Sequence, residues 1–273
     1  MTPIDKQTIL VTGATDGLGR GVALELLRLG ATVIVHGRDP ARIAATTAEL
    51  GAQSGRPGAI RTALADLSSL AATRAMAERV LAGEPRLDAL VNNAGIGTVV
   101  PGGGVRMTSQ DGHELRFAVN YLAPFLLTRL LLPLLRRSSP ARIVNVSSAG
   151  QMAIDFEDPM LERRYDGIRA YCQSKLAQIL FTIDLAEELG NDVTVTALHP
   201  ASYMPTKIVP SPVSTLEEGV DATVRLLVDP ALDAVTGRYF DGQREARAEA
   251  QAYDAGAREK LRSLSLRLTG LTA

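Results

Sequence analysis

The sequence predicts an α/β fold organised as a doubly wound parallel sheet with helices on both faces. Two observations carry that expectation. Short runs rich in Val, Ile and Leu alternate along the chain with longer amphipathic stretches. Several of those runs, such as Ile9 to Val11 and Val33 to Val35, are apolar at consecutive positions, as strands covered on both faces require.

Taken in order, the run Ile9 to Thr12 is followed by a glycine cluster and an apolar helix at 17–29. Thr32 to Val35 leads to a helix at 40–50, and a weaker strand at 59–65 leads to a helix at 68–82. Leu87 to Val91 precedes a helix at 111–135, Ile143 to Val146 a helix at 170–189, and Val193 to Leu198 a helix at 215–228. Gly237 to Phe240 closes the series. About seven strands with six or seven helices use nearly all of the 273 residues, so 1–273 is expected to form a single domain. The tail over 244–273 is rich in Ala, Arg and Glu, with Leu261, Leu264 and Leu268 at helical spacing. It is expected to be a helix packed on the body or on another subunit. Gly95 to Gly104 and Gln151 to Gly167 break the rhythm, and long loops in compact domains often carry function.

Composition narrows the partners. Lys+Arg total 29 against 30 Asp+Glu, a formal charge of -1, which supplies no general attraction for nucleic acid or an anionic membrane. The one cysteine, Cys172, excludes an intrachain disulfide and argues against a cysteine-based zinc site. No secretory signal pattern opens the sequence. The most apolar segment, Phe125 to Leu135, is interrupted by Thr128, Arg129 and Pro133 and reads as too short to span a bilayer. The expectation is a cytoplasmic protein with no membrane anchor.

Directly after the first strand comes Thr12-Gly13-Ala14-Thr15-Asp16-Gly17-Leu18-Gly19, opening the helix 17–29. Glycines allow a tight turn and close backbone approach to a pyrophosphate, and a helix N-terminus supplies N–H groups and positive potential. A glycine cluster also marks ordinary turns; its place between strand and helix points to a Rossmann-type dinucleotide site. The second strand ends His36-Gly37-Arg38-Asp39, where Arg38 suits the 2′-phosphate of NADP(H) better than the ribose of NAD(H). Asp39, before Pro40, suits a helix N-cap, and Asp16 opposes a 2′-phosphate.

Tyr171 and Lys175 stand four apart at the start of an amphipathic helix, on one face. An ammonium beside a phenol lowers its pKa, and such a pair can move a proton to or from an alcohol or ketone oxygen. Ser147 and Ser148 end the strand Ile143 to Val146, and Asn92-Asn93-Ala94-Gly95 follows the strand before it, both at the carboxyl edge where such sheets bind ligands. Asn120 is a polar residue inside an apolar helix, costly unless hydrogen-bonded.

Together these residues resemble the short-chain dehydrogenase/reductase family over roughly residues 7–240. The matching motifs are Thr12-Gly13-x-x-x-Gly17-x-Gly19, Asp66-Leu67, Asn92-Asn93-Ala94-Gly95, Asn120, Ser148, Tyr171-x-x-x-Lys175 and His199-Pro200. The stretches around Asn120 and Tyr171 are most similar to the retinol-dehydrogenase-like branch. The resemblance implies Tyr171 as general acid/base, Lys175 lowering its pKa and holding the nicotinamide ribose, Ser148 orienting the substrate oxygen, and Asn120 anchoring a water relay. It implies Gly13, Asp16, Gly17, Leu18 and Gly19 near the pyrophosphate and Arg38 at the 2′-phosphate. Asp66, Leu67, Asn92 and Ala94 would line the cofactor's adenosine side, and Pro200, Ala201 and Thr206 its nicotinamide side.

The sequence departs from the family pattern at Ala201, where Gly is usual, and at Thr206, one residue later than usual. The segment 151–167 lengthens the path from Ser148 to Tyr171 and, with 95–107 and 201–214, is expected to shape an apolar pocket. The implied activity is NADP(H)-dependent hydride transfer to or from a carbonyl or alcohol of an apolar small molecule, in a homodimer or homotetramer. A membrane-embedded retinoid role is disfavoured. The intact Ser148, Tyr171 and Lys175 argue against a catalytically silent NADP(H)-binding regulator. The short C-terminal region argues against a nucleotide-sugar epimerase or dehydratase.

Overall fold

The computed structural model describes residues 2–98, 105–202, 204 and 213–272. Eight strands form one sheet in the order β3-β2-β1-β4-β5-β6-β7-β8. They are β1 (Thr8–Val11), β2 (Thr32–Gly37), β3 (Ile60–Leu64), β4 (Ala89–Asn92), β5 (Ala141–Val146), β6 (Val193–His199), β7 (Arg238–Asp241) and β8 (Arg244–Ala246). All pairings are parallel except β7 with β8. The order reverses between β1 and β4, which opens a crevice at the carboxyl ends of those strands.

The helices are α1 (Gly17–Leu29), α2 (Pro40–Ser54), α3 (Leu70–Gly83), α4 (Leu115–Phe117), α5 (Ala123–Arg137), α6 (Gly167–Leu189), α7 (Leu216–Val228) and α8 (Ala255–Thr269). One apolar layer joins the sheet to α1 and α7 through Val22, Leu26, Val224 and Leu227. The opposite layer joins it to α3, α5, α6 and α8 through Met76, Leu131, Leu180 and Leu261. Strand burial is complete in β1, β4, β5 and β6, as consecutive apolar runs require.

Two expectations need correction. The tail does not become helical at Arg244: Gly242 (φ 56) turns the chain after Asp241, and Arg244–Ala246 pairs antiparallel with β7 as an eighth strand. The Asp-Gly pair was the available hairpin signal. Asp254 then caps α8, accepting from Gly256 and Ala257 N–H. α8 packs on the body: Tyr121 and Ser265 share a 2.6 Å hydrogen bond, and Arg258 and Arg262 pair with Glu187 and Asp184 at 2.7 and 2.5 Å. Lastly, α4, a π-helical turn Ala118–Leu122 and α5 run continuously as Leu115–Arg137, 23 residues. Among the described residues this is one helix long and apolar enough to cross a membrane, and 83% of its apolar window is buried inside the fold.

Candidate active site

The glycine loop is built from β1 outward. Gly13 (φ 65) and Gly17 (φ 46) occupy left-handed backbone that other residues avoid. Thr12 locks the loop to the end of β4: its hydroxyl accepts from Asn93 N–H and Ala94 N–H at 2.9 and 3.0 Å. Asn93 Nδ2 donates to the Thr12 carbonyl at 2.7 Å. Asp16 caps α1 by accepting from Gly17 N–H, and its second oxygen meets Arg42 Nη2 at 3.0 Å. The cradle tolerates no side chain at position 19, where a Cβ would stand 2.5 Å from the Gly13 carbonyl oxygen and also strike Asn93 Nδ2.

His36 is the hidden strut of this end. Its Nδ1 accepts from Gly13 N–H at 3.0 Å, and Nε2 lies 3.2 Å from the Ala65 carbonyl, so the proton sits on Nε2. Burial holds its pKa down at about 4, against 6.5 for a free histidine. The folded protein thus binds fewer protons than the unfolded chain between these values. The stability His36 contributes is complete above pH 6.5 and lost as pH falls through 4. The shift corresponds to about 3 kcal/mol. Urea unfolding at pH 7 and pH 4.5 should show a steeper acid loss in the wild type than in His36→Gln; parallel losses would mean that His36 does not titrate as described.

Arg38 is exposed at the tip of β2, and Asp39 caps α2 through Ala41 and Arg42 N–H. Asp66 accepts from Ser68 N–H at 2.9 Å, forming a turn, while Ser69 caps α3. Leu67 is buried beside them. The Asn92 side chain is fully buried, donating to Thr128 Oγ1 at 3.0 Å and Asn145 Oδ1 at 2.8 Å, and so binds β4 to β5 and α5. Pro200 and Ala201 follow β6 at the same sheet edge, and Thr206 lies outside the described residues.

Ser148, Tyr171 and Lys175 converge at the carboxyl end of β5. Asp166 caps α6, accepting from Ile168 and Arg169 N–H, which starts the helix in time to place Tyr171 on its first turn. The Ser148 hydroxyl accepts from Gly150 N–H at 3.0 Å, and a Cβ on Gly150 would lie 3.5 Å from that hydroxyl and 3.7 Å from Tyr171 Cε1. Ser147 faces the other way and donates to the Lys175 carbonyl at 2.7 Å. Lys175 Nζ lies 5.9 Å from the centre of the Tyr171 ring and donates to Val146 O at 2.8 Å and Gln178 Oε1 at 3.2 Å.

Burial sets the charges here. It lowers the Lys175 pKa to about 7. It raises that of Tyr171, opposed by the Ser148 hydrogen bond. The expected lowering of the Tyr171 pKa by Lys175 is not seen: burial dominates and raises it. Asn120 reaches the site through the π-helical turn. Its Oδ1 accepts from Ile96 N–H at 2.7 Å, and Nδ2 donates to Ile96 O and Ser174 Oγ, both at 3.0 Å. Its oxygen and Lys175 Nζ flank Gly95, where a Cβ would lie 3.3 and 3.5 Å from them.

Sequence reasoning missed four supports. Tyr239 Oη donates to the Ser148 carbonyl at 3.1 Å, and Gln151 Nε2 donates to the same oxygen at 2.9 Å. Gln151 Oε1 in turn accepts from Glu249 N–H at 2.8 Å. Arg42 beside Asp16 is the fourth; a helix-face arginine gives no sign of such a contact before the fold is known. His199 is hydrogen-bonded to Ser202 at 3.1 Å, and burial lowers its pKa. Cys172 is buried with its thiol pKa raised. In the segment 151–167, Ile154 and Leu161 turn into the core, while Met152 stays exposed.

Comparisons with known proteins agree with this geometry. The model of the short chain dehydrogenase family matches residues 7–215. Human retinol dehydrogenase 14 is 39% identical, the match covering 97% of this chain and 87% of that one. A short chain dehydrogenase from Shigella flexneri complexed with NADP superposes with a TM-score of 0.70 at 28% identity, over 87% of this chain and 97% of that one. A 3-ketoacyl-(acyl-carrier-protein) reductase from Brucella melitensis complexed with NADH gives 0.69 at 25% identity, over 87% and 97%. With a glycine cradle at the reversal of strand order and a serine and a tyrosine brought together at the carboxyl end of β5, the chain belongs to the short-chain dehydrogenase family and is a pyridine-nucleotide oxidoreductase.

Proposed function

We propose that this protein transfers a hydride, with NADP(H), between the nicotinamide and the carbonyl or alcohol carbon of an apolar small molecule. The observation that carries this reading is the meeting of Ser148 and Tyr171 around Gly150 with the buried Lys175 Nζ 5.9 Å from the centre of the tyrosine ring. The residues present fit the dinucleotide: a cradle closed to any Cβ at Gly19, a helix N-terminus behind it, and an exposed guanidinium at Arg38. When bound, the nicotinamide supplies or accepts the hydride.

The chain's own residues handle the oxygen and its proton. Ser148 Oγ holds the substrate oxygen, and the Tyr171 hydroxyl donates its proton as the oxygen gains charge, or accepts one in the reverse direction. As Tyr171 becomes a phenolate, a protonated Lys175 within reach of its ring stabilises it, so the burial that disfavours both charges is offset when they form together. At the other end, Arg42 neutralises Asp16, the one acidic group expected to oppose a 2′-phosphate, and leaves Arg38 to receive it.

Calorimetric titration of NADPH and NADH into the wild type and Arg38→Ala tests the cofactor reading. NADPH should bind the wild type more tightly. The substitution should remove about 10–100-fold of that affinity, the worth of one charge-assisted hydrogen bond, and leave NADH unchanged. Equal binding of both nucleotides to the wild type would overturn the NADP(H) preference, and binding of neither would overturn the enzyme reading.

A further inference from the structure

The least ordinary charge in the molecule is Arg116, which is almost fully buried in the apolar run that carries Asn120. A buried guanidinium persists only when its donors are satisfied. Its Nε donates to Gly97 O at 2.9 Å, Nη2 to Thr98 O at 2.9 Å, and Nη1 to Tyr165 Oη at 2.5 Å. The fully buried carboxylate of Glu114 stands 3.7 Å away, accepting from Phe117 N–H at 2.7 Å and from Tyr165 Oη at 3.3 Å.

These contacts continue a series. One helical turn along, Asn120 holds both the N–H and the carbonyl of Ile96. Ile96, Gly97 and Thr98, the backbone leaving the Asn-Asn-Ala-Gly turn, are thus fastened one after another by two side chains. On its other side the Arg116 guanidinium meets Tyr165 and lies 3.5 Å from where a Cβ on Gly167 would be, at the first residue of α6. The same group therefore fixes the backbone beside Lys175 and the entry to the helix that carries Tyr171. A second arginine holds the later segment further out: Arg106 Nε donates to Met160 O at 2.9 Å. Next to that bond Leu161 adopts left-handed backbone (φ 50), which a leucine keeps only when its surroundings impose it.

We infer that Arg116, with Glu114 and Tyr165, is a positioning residue that sets the substrate range. It joins the segments 96–98 and 160–167 into one rigid wall on the substrate side of Tyr171. The inference deepens the proposed oxidoreductase reading and rests on it. Loosening the wall should enlarge the set of accepted substrates while weakening each, and should leave the nucleotide end untouched, because the contacts of the glycine loop involve none of these residues.

The test compares the wild type with Arg116→Met, Arg116→Lys and Tyr165→Phe, as full-length proteins. Amide hydrogen exchange is read by mass spectrometry, with NADPH and NADH affinity by calorimetry and steady-state kinetics on straight-chain and aromatic aldehydes of increasing size. In Arg116→Met, amides of 96–98 and 160–167 should exchange about tenfold faster or more, with those of 13–19 unchanged. KM should rise about tenfold with a smaller change in kcat, and the spread of kcat/KM across the panel should narrow. Arg116→Lys should recover part of both effects. Should Arg116→Met not fold, Tyr165→Phe removes only the hydroxyl that meets Arg116 and Glu114 and should show the same changes at smaller size. Exchange in 96–98 and 160–167 indistinguishable from wild type in all variants would overturn the inference. A wild type that binds nucleotide but reduces no aldehyde would instead count against the proposed substrate class, and the exchange result would still decide what Arg116 holds.

Discussion

Replacing Gly19 with alanine should abolish measurable binding of either nicotinamide nucleotide while the protein still folds. The new methyl would lie 2.5 Å from the Gly13 carbonyl oxygen, closer than any real carbon tolerates, so either the loop shifts or the Cβ invades the cradle. Both outcomes remove the close backbone approach that the pyrophosphate needs. The overpacking should cost about 1–3 kcal/mol of stability, readable in a urea unfolding curve, and the affinity loss should exceed about a hundredfold by calorimetry. Normal binding by Gly19→Ala would mean that the nucleotide does not lie against this loop.

The second large effect is expected at Tyr171. In Tyr171→Phe the ring keeps its packing and loses only the hydroxyl that meets Ser148. Carbonyl reduction should then fall by about 10²–10⁴-fold, the usual contribution of a positioned acid or base, with nucleotide affinity within about threefold of wild type. Undiminished turnover would transfer the proton to another group and remove Tyr171 from the chemistry. Ser147→Ala gives the contrast, since that hydroxyl is spent on the Lys175 carbonyl and does not face the tyrosine.

How far the sequence reveals this molecule depends on the range of the interaction. The strands were readable because burial on both faces writes itself as consecutive apolar residues, and all seven expected strands are present. The eighth was hidden because Arg244–Ala246 is short and charged, and only its pairing with β7 makes it a strand. At the site, the glycines, Ser148, Tyr171 and Lys175 carry their chemistry in their residue types and spacing. Asn92 does not: its type suits a ligand contact as well as a scaffold, and only the fold brings Thr128 and Asn145 to its amide. Arg116 reads as a surface charge until the loops that it holds are in place.

The two halves of the site also differ in when they can exist. The glycine loop is fastened by Thr12, His36, Asn93 and Ala94, all within the first 94 residues of the chain. The Ser148 carbonyl waits for Tyr239, 91 positions later, and its neighbours Gln151 and Ile154 wait for Glu249 and Gln251, 98 and 97 positions on. A chain emerging from the ribosome, which folds as it is made, thus carries every catalytic side chain by residue 175 while the serine among them still lacks its bond from Tyr239. Until synthesis passes residue 251, the nascent protein has a completed nucleotide cradle opposite an unfinished reaction centre.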